Sequence, residues 1–220
     1  MYKVAGLFGG VGGIELGFKQ AGFDVVFANE IDAKAAITYK ENHDHPLLVD
    51  DIHNVKGEQL PSIDILVGGF PCQAFSIAGY RKGFEDDRGN LFFEILRLAL
   101  EKNPRVLLLE NVKNLVGHDQ GNTFRVINEA LEANGYHVDH KVLNGSEYGN
   151  VPQNRERIYI VAFKNISDLE KFSFPQPISL TKRLSDVIDF ENKVDDIFYY
   201  TPEKCKFYDQ LVPEITSKNT

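Results

Sequence analysis

The residue types with the most chemistry to offer stand just past apolar runs. In "ILVGGFPCQAFS" (Ile65–Ser76), Gly68, Gly69 and Pro71 follow a strand-like run and lead into Cys72. A free cysteine is most often a small buried hydrophobe. At a strand end, its thiolate can instead attack an electron-poor carbon if a partner neutralises the charge that develops. Glu110 closes another apolar run, "RVLLLENV". A carboxyl there is either desolvated and suited to passing on a proton, or a helix cap. Arg155 and Arg157 in "QNRERIYIVAF" are two apart on an extended segment and so share a face. They suit bidentate contact with a base oxygen, a carboxylate or a phosphate, or else form two surface ion pairs. Gln73, Ser76, Arg81, Lys82 and Arg88 are placed to touch phosphates, with Glu85, Asp86 and Asp87 cancelling their charge.

A second group lies nearer the N-terminus. "LFGGVGG" places Phe8, Gly10, Gly12 and Gly13 between an apolar run and a helix-like stretch, where glycines let backbone approach a ligand. The dinucleotide fingerprint GxGxxG fails, because Glu15 stands where the third glycine belongs. Glu30 ends the next strand-like run and can take both hydroxyls of a ribose; Asp51 ends the third and can accept from an adenine amino group. Solvated caps or turns are the ordinary alternative for each acid. "HDH" (His43–His45) and His118 read as solvent-facing loop histidines. Cys72 and Cys205 have no metal-ligand spacing, and a reducing cytosol makes a disulfide between them unexpected. No metal is expected.

These residues need elements to hold them. "YKVAGLF", "FDVVFANE", "PLLVDDI", "IDILVGG" and "RVLLLENV" read as strands, and "GIELGFKQAG", "AKAAITYKENH", "GNLFFEILRLALEKN" and "TFRVINEALEANG" as helices. "YHVDHKVLN" and "RIYIVAF", separated by loop-like "GSEYGNVPQNRE", should pair antiparallel. The expected fold is α/β: a doubly wound, Rossmann-like, mostly parallel sheet with a final antiparallel strand. Phe8 to Gly13, Glu30, Asp51, Pro71–Cys72 and Glu110–Asn111 all fall at strands' carboxyl ends, where such sheets bind ligands.

The chain has 220 residues, 43% hydrophobic, which suffices for one sizeable core. No apolar stretch nears the ~18 residues of a membrane span, and "MYKVAGLFGG" is not a signal peptide, so a cytoplasmic protein without membrane contact is expected. A formal charge of −8 disfavours non-specific coating of nucleic acid. Between residues 151 and 183, however, Arg155, Arg157, Lys164, Lys171, Lys182 and Arg183 outnumber Glu156, Asp168 and Glu170. Residues 1–180 are expected to form the catalytic domain and 181–220 a trailing segment without a second core.

Together, "LFGGVGG", "NEID", "DDI", "GGFPCQAFS", "RGNLFFEILR", "ENVKN" and "QNRERIYIVAF" resemble the ordered motifs of the DNA (cytosine-5)-methyltransferases. The resemblance covers about Tyr2 to Phe163. It implies a methyl transfer from S-adenosyl-L-methionine to cytosine C5 in double-stranded DNA, with the base flipped out of the duplex. By position, Cys72 matches the nucleophile that attacks C6, Glu110 the acid at N3 and the amino group, and Arg157 the arginine on the base oxygen, with Arg155 helping to position it. Phe8 matches the ring stacked on the cofactor adenine. Glu30 matches the ribose ligand with Ile31 beside it, and Asp51 and Ile52 the adenine contacts. Gly10, Gly12 and Gly13 line the cofactor turn. Pro71, grouped with them, shapes the loop and offers its carbonyl to the cytosine.

Two departures accompany the match. The family usually has Asp or Ser before Leu-Phe; Gly6 stands here, so a contact near the methionine end of the cofactor is expected to be absent. No target-recognition domain or Gly-Asn-Ser-Val motif is found, which implies weak activity alone and, as one option, a second chain carrying that region. The expected setting is a bacterial restriction–modification system, in the cytoplasm with the nucleoid. Rival readings are an inactive homologue acting as a binding or regulatory partner, a nicotinamide-dependent enzyme, and an RNA substrate.

Overall fold

In the computed structural model, residues 1–71, 91–189, 195 and 201 are described; Cys72, the loop that follows it and Cys205 lie outside them. Seven strands make one sheet: β1 (Lys3–Leu7), β2 (Asp24–Glu30), β3 (Leu47–Val49), β4 (Ile65–Gly69), β5 (Val106–Val112), β6 (His137–Asn144) and β7 (Glu156–Phe163). Their order is β3-β2-β1-β4-β5-β7-β6. The pairings from β3 to β5 are all parallel, and β7 runs antiparallel to both β5 and β6. The chain reverses its direction of winding between β1 and β4, so the crevice for a ligand lies there.

Helices follow the strands as their patterning requires. α1 (Gly13–Gln20) and α2 (Ala33–Asn42) follow β1 and β2; α3 (Leu91–Lys102) and α4 (Asn122–Ala133) follow the described ends of β4 and β5. α3 buries Phe92, Ile95, Leu96 and Ala99, the i, i+3, i+4, i+7 stripe of an amphipathic helix. Asn103, in the left-handed region at φ 49°, and then Pro104 end it. α2 is started by Asp32, whose carboxylate accepts from Lys34 N at 2.7 Å.

The alternation along β1 sorts the core into two faces. Ala5 and Leu7 join the larger cluster with α3 and α4. Val4 joins Val25, Ile65 and Val67, against which Ile14 and Phe18 of α1 pack. Gly6 therefore faces α1.

Three local expectations are corrected. The third strand stops at Val49, and Ile52–Asn54 form a 3₁₀ turn, because the Asp51 side chain accepts from His53 N at 3.0 Å and caps the turn. The linker before β7 holds a short helix, α5 (Gly145–Tyr148), capped by Asn144. His43 does not face solvent: it is buried against Tyr39, and the Tyr39 hydroxyl bonds His45 Nε2 at 2.6 Å.

The backbone divides into two compact units, Met1–Leu180 and Thr181–Thr220. The first holds the whole sheet and one more short helix, α6 (Ile166–Leu169); in the second the described structure is a 3₁₀ turn at Leu184–Asp186.

Candidate functional site

The ends of β2, β3, β5 and β6 and the start of β7 bring polar residues to one end of the sheet. On β5, Val106, Leu108, Glu110 and Val112 share a face by the two-residue period of a strand. Glu110 pairs with Tyr159 and Val112 with Arg157 in the antiparallel register, so Arg157 sits diagonally across from Glu110. Arg157 Nε lies 3.0 Å from Glu110 Oε1, both side chains about one-fifth exposed. The carboxyl at the end of the apolar run thus has a charged partner and caps no helix. Gly69 lies opposite Glu110 on β4, where a Cβ would stand in ordinary contact, 3.4 Å from Glu110 Oε2. Tyr159 lies beneath this pair, and its phenol is pushed upward by burial and then by the nearby Glu110 charge.

Arg155 comes just before β7 and is exposed; its backbone N–H donates to Asn144 Oδ1 at 3.1 Å. With Arg157, Val112, Lys113 and Asn154 it lines a polar recess of about 380 Å³, so the two arginines do flank one space.

Asn111 stands beside Glu110 at the end of β5, and the sequence alone gives it no role of its own. It points to the opposite face from Glu110, is 2% exposed, and donates from Nδ2 to the Phe70 carbonyl at 2.9 Å. It therefore ties the end of β5 to the residue before Pro71. A polar residue amid an apolar run was the available signal, but it was absorbed into the motif around Glu110. Pro71 is exposed at the boundary of the described residues, with Cys72 next in the chain.

The other half of the edge is held by backbone hydrogen bonds. Glu30 is buried, and its Oε2 accepts from Gly10 N at 2.6 Å while Oε1 accepts from Ile31 N and Asp32 N at 2.9 and 2.7 Å. A carboxylate has about four acceptor positions, and three are taken here, so a ligand donating from two hydroxyls would have to displace one of these bonds. Phe8 adopts φ 56°, a left-handed conformation rarely taken by an aromatic residue, at the turn out of β1. Gly10 and Gly12 also have positive φ, and a Cβ on Gly12 would stand 2.1 Å from His43 Nε2. At Gly13 nothing lies within 4 Å. Ile31 is exposed, whereas Ile52 is 3% exposed and sits in the core beside Asp51.

Two further residues position this half. Asn29, 2% exposed, donates to the carbonyls of Leu48 and Asp50 at 3.1 and 2.8 Å, clamping β3 to β2. Arg97 of α3 donates to the Ile52 and Val55 carbonyls at 3.3 and 2.8 Å, holding the turn that carries Asp51. Asp51 itself pairs with the His53 ring at 2.5 Å.

The residues fit an adenosine-containing cofactor. Among the described residues, the glycine turn is open at Gly10 and Gly13, Glu30 and Asp51 offer carboxylates at adjacent strand ends, and Glu15 has a buried oxygen, Oε2, without a partner. A separate cavity of about 510 Å³, lined by Val106, Val161, Phe163 and Phe172, is apolar and opens at the opposite end of the strands.

A family model for the C-5 cytosine-specific DNA methylases matches residues 2–220. The chain belongs to this family. It is 58% identical over 222 residues to the type II methyltransferase M.Bsp6I of Bacillus sp. (strain RFL6), covering 100% of this chain and 70% of that protein. It is 49% identical to M.NlaX of Neisseria lactamica, covering 86% of this chain and 60% of the relative. Among solved structures, the S. pombe Dnmt2 methyltransferase superposes with a TM-score of 0.66 at 26% identity, covering 88% of this chain and 62% of that one. The α/β methyltransferase fold with one antiparallel strand accords with this likeness. Among the described residues of this methylase-family chain, no helix is long and apolar enough to cross a membrane, and no group of three His, Cys, Asp or Glu is placed to hold a metal ion.

Proposed function

We propose that this chain methylates C5 of cytosine in double-stranded DNA through a covalent adduct between Cys72 and C6. The observation that carries this reading is the Glu110–Arg157 pair, set beside Gly69 where β4 leads into Pro71 and Cys72.

A cytosine cannot be reached inside a duplex and must be flipped out. In this reading Arg157 and Arg155 hold the base oxygen and neighbouring backbone, and Glu110 faces N3 and the exocyclic amino group. The Cys72 thiolate adds to C6, the C5–C6 π electrons move toward C5, and Glu110 holds a proton at N3 as charge develops there. S-Adenosylmethionine, when bound, supplies a methyl group activated by its sulfonium. After methylation, loss of the C5 proton and departure of the Cys72 thiolate from C6 restore the aromatic ring. Glu30 and Asp51 would hold the ribose and adenine, with Phe8 against the ring and Gly10, Gly12 and Gly13 letting backbone come close.

The relatives are longer than this chain, so the test is run both with the chain alone and with the C-terminal part of M.Bsp6I added. Tritiated methyl groups from S-adenosylmethionine should appear as 5-methylcytosine after nucleoside digestion, and Cys72→Ser should abolish the signal. Label at another base position, or label that survives Cys72→Ser, overturns the reading. Cofactor binding without label in either format favours a binding partner.

A further inference from the structure

The chemistry above leaves one buried carboxyl unused. Glu15, in the first turn of α1, is 1% exposed. Its carboxyl lies in the angle between the end of β1 and the glycine turn. A Cβ built on Gly6 would stand 1.9 Å from Oε1, and one built on Gly9 would stand 3.4 Å from it. Glycine at position 6 is what makes room for this group. Among the described residues, Oε2 has no hydrogen-bond partner. The charged neighbour that bears on it is another acid, Glu30 on β2, and the Tyr39 ring of α2 closes the same space.

A buried acceptor without a donor is costly, and a carboxylate more so. Two acids facing one crevice, one of them with a buried oxygen left unpartnered among the described residues, suit a ligand that carries positive charge. We propose that Glu15 is a cofactor-binding residue whose carboxylate takes the α-ammonium group at the amino-acid end of the ligand, in the space that Gly6 leaves open. The inference rests on the S-adenosylmethionine reading of this crevice. One molecule with a diol for Glu30 and a cationic end for Glu15 then spans both acids.

Calorimetric titration of the full chain with S-adenosylhomocysteine and with 5′-methylthioadenosine, which lacks the amino-acid end, separates the possibilities. Glu15→Gln should weaken S-adenosylhomocysteine about 10- to 100-fold and leave 5′-methylthioadenosine within about twofold. Gly6→Asp alone forces two side chains into one space and should weaken binding. Combined with Glu15→Ala, it returns a carboxylate to that space and should recover S-adenosylhomocysteine affinity to within about tenfold of the wild type. Equal weakening of both ligands by Glu15→Gln, or of neither, overturns the assignment and leaves Glu15 a structural residue. If Glu15→Ala does not fold alone, Glu15→Gln and the double variant still decide. Wild-type protein that binds neither ligand overturns the cofactor reading itself.

Discussion

Arg157 on β7 holds the Glu110 carboxylate on β5 across an antiparallel pair, with Nε 3.0 Å from Oε1. The pair couples the two strands at the edge where β4 gives way to Pro71. Replacing Glu110 by Gln keeps the shape and removes the charge. Methyl transfer should fall about 10²- to 10⁴-fold, while S-adenosylhomocysteine affinity stays within about threefold. Steady-state kinetics beside calorimetry checks both; an equal loss in binding and turnover contradicts the assigned role.

Asn111 gives a stability prediction. Asn111→Leu keeps the branched outline but strips the Phe70 carbonyl and the Val112 N–H of their partners, which Asn111 now binds at 2.9 and 2.8 Å. The loss should be about 1–3 kcal/mol, read from urea unfolding. An unchanged midpoint would show that this tie between β4 and β5 is dispensable.

Much of this was legible in the sequence, for reasons specific to each part. The strands of a covered parallel sheet read as unbroken apolar runs, so β1, β4 and β5 announce themselves, and Glu110 in β5 stands out by contrast. Glu110 and Arg157 were visible as types, but their pairing depends on the β5–β7 register, which no local pattern encodes. The roles of Asn29, Asn111 and Arg97 are not legible in the sequence because each acts on backbone carbonyls of distant segments, and nothing in their own neighbourhoods marks the partner. His43 was misread for the same reason: its burial comes from Tyr39 and the glycine turn, not from its polar neighbours Asn42 and Asp44.

Glu15 predicts how stability depends on pH. Burial, with Glu30 adding to it, raises its carboxyl from 4.5 to about 7. The folded protein therefore binds a proton more tightly than the unfolded chain, so this stabilisation is full below about pH 4.5 and lost as pH rises through about 7. The contribution amounts to about 3 kcal/mol at most. Glu15→Gln should flatten the fall in unfolding free energy between pH 5 and 8. A slope unchanged by the substitution contradicts the assignment.

The glycines of the turn are not equivalent. Gly12→Ala meets both a left-handed backbone at φ 91° and the His43 ring, and should cost more than the ~1–2 kcal/mol of the backbone effect alone. Gly12→Ala with His43→Ala should recover only the steric share. Gly13→Ala has open space at the first position of α1 and should be neutral or stabilising by about 0.4–1 kcal/mol. Thermal melts of the three variants check this order.

Glu30 carries the most backbone donors of any acid at the edge. Glu30→Ala frees the N–H groups of Gly10, Ile31 and Asp32 and removes the proposed ribose ligand. Affinity for 5′-methylthioadenosine should drop about 10- to 100-fold, in contrast to Glu15→Gln.

The central claim is that Cys72 bonds to cytosine, and trapping tests it most directly. DNA containing 5-fluorocytosine blocks the final loss from C5, so an adduct once formed persists. The protein is incubated with this DNA and S-adenosylmethionine, with and without the C-terminal part of M.Bsp6I, then digested and analysed by mass spectrometry. The predicted result is a nucleotide bonded to the peptide containing Cys72, absent from Cys72→Ser. An unmodified Cys72 in both incubations, with cofactor demonstrably bound, contradicts it.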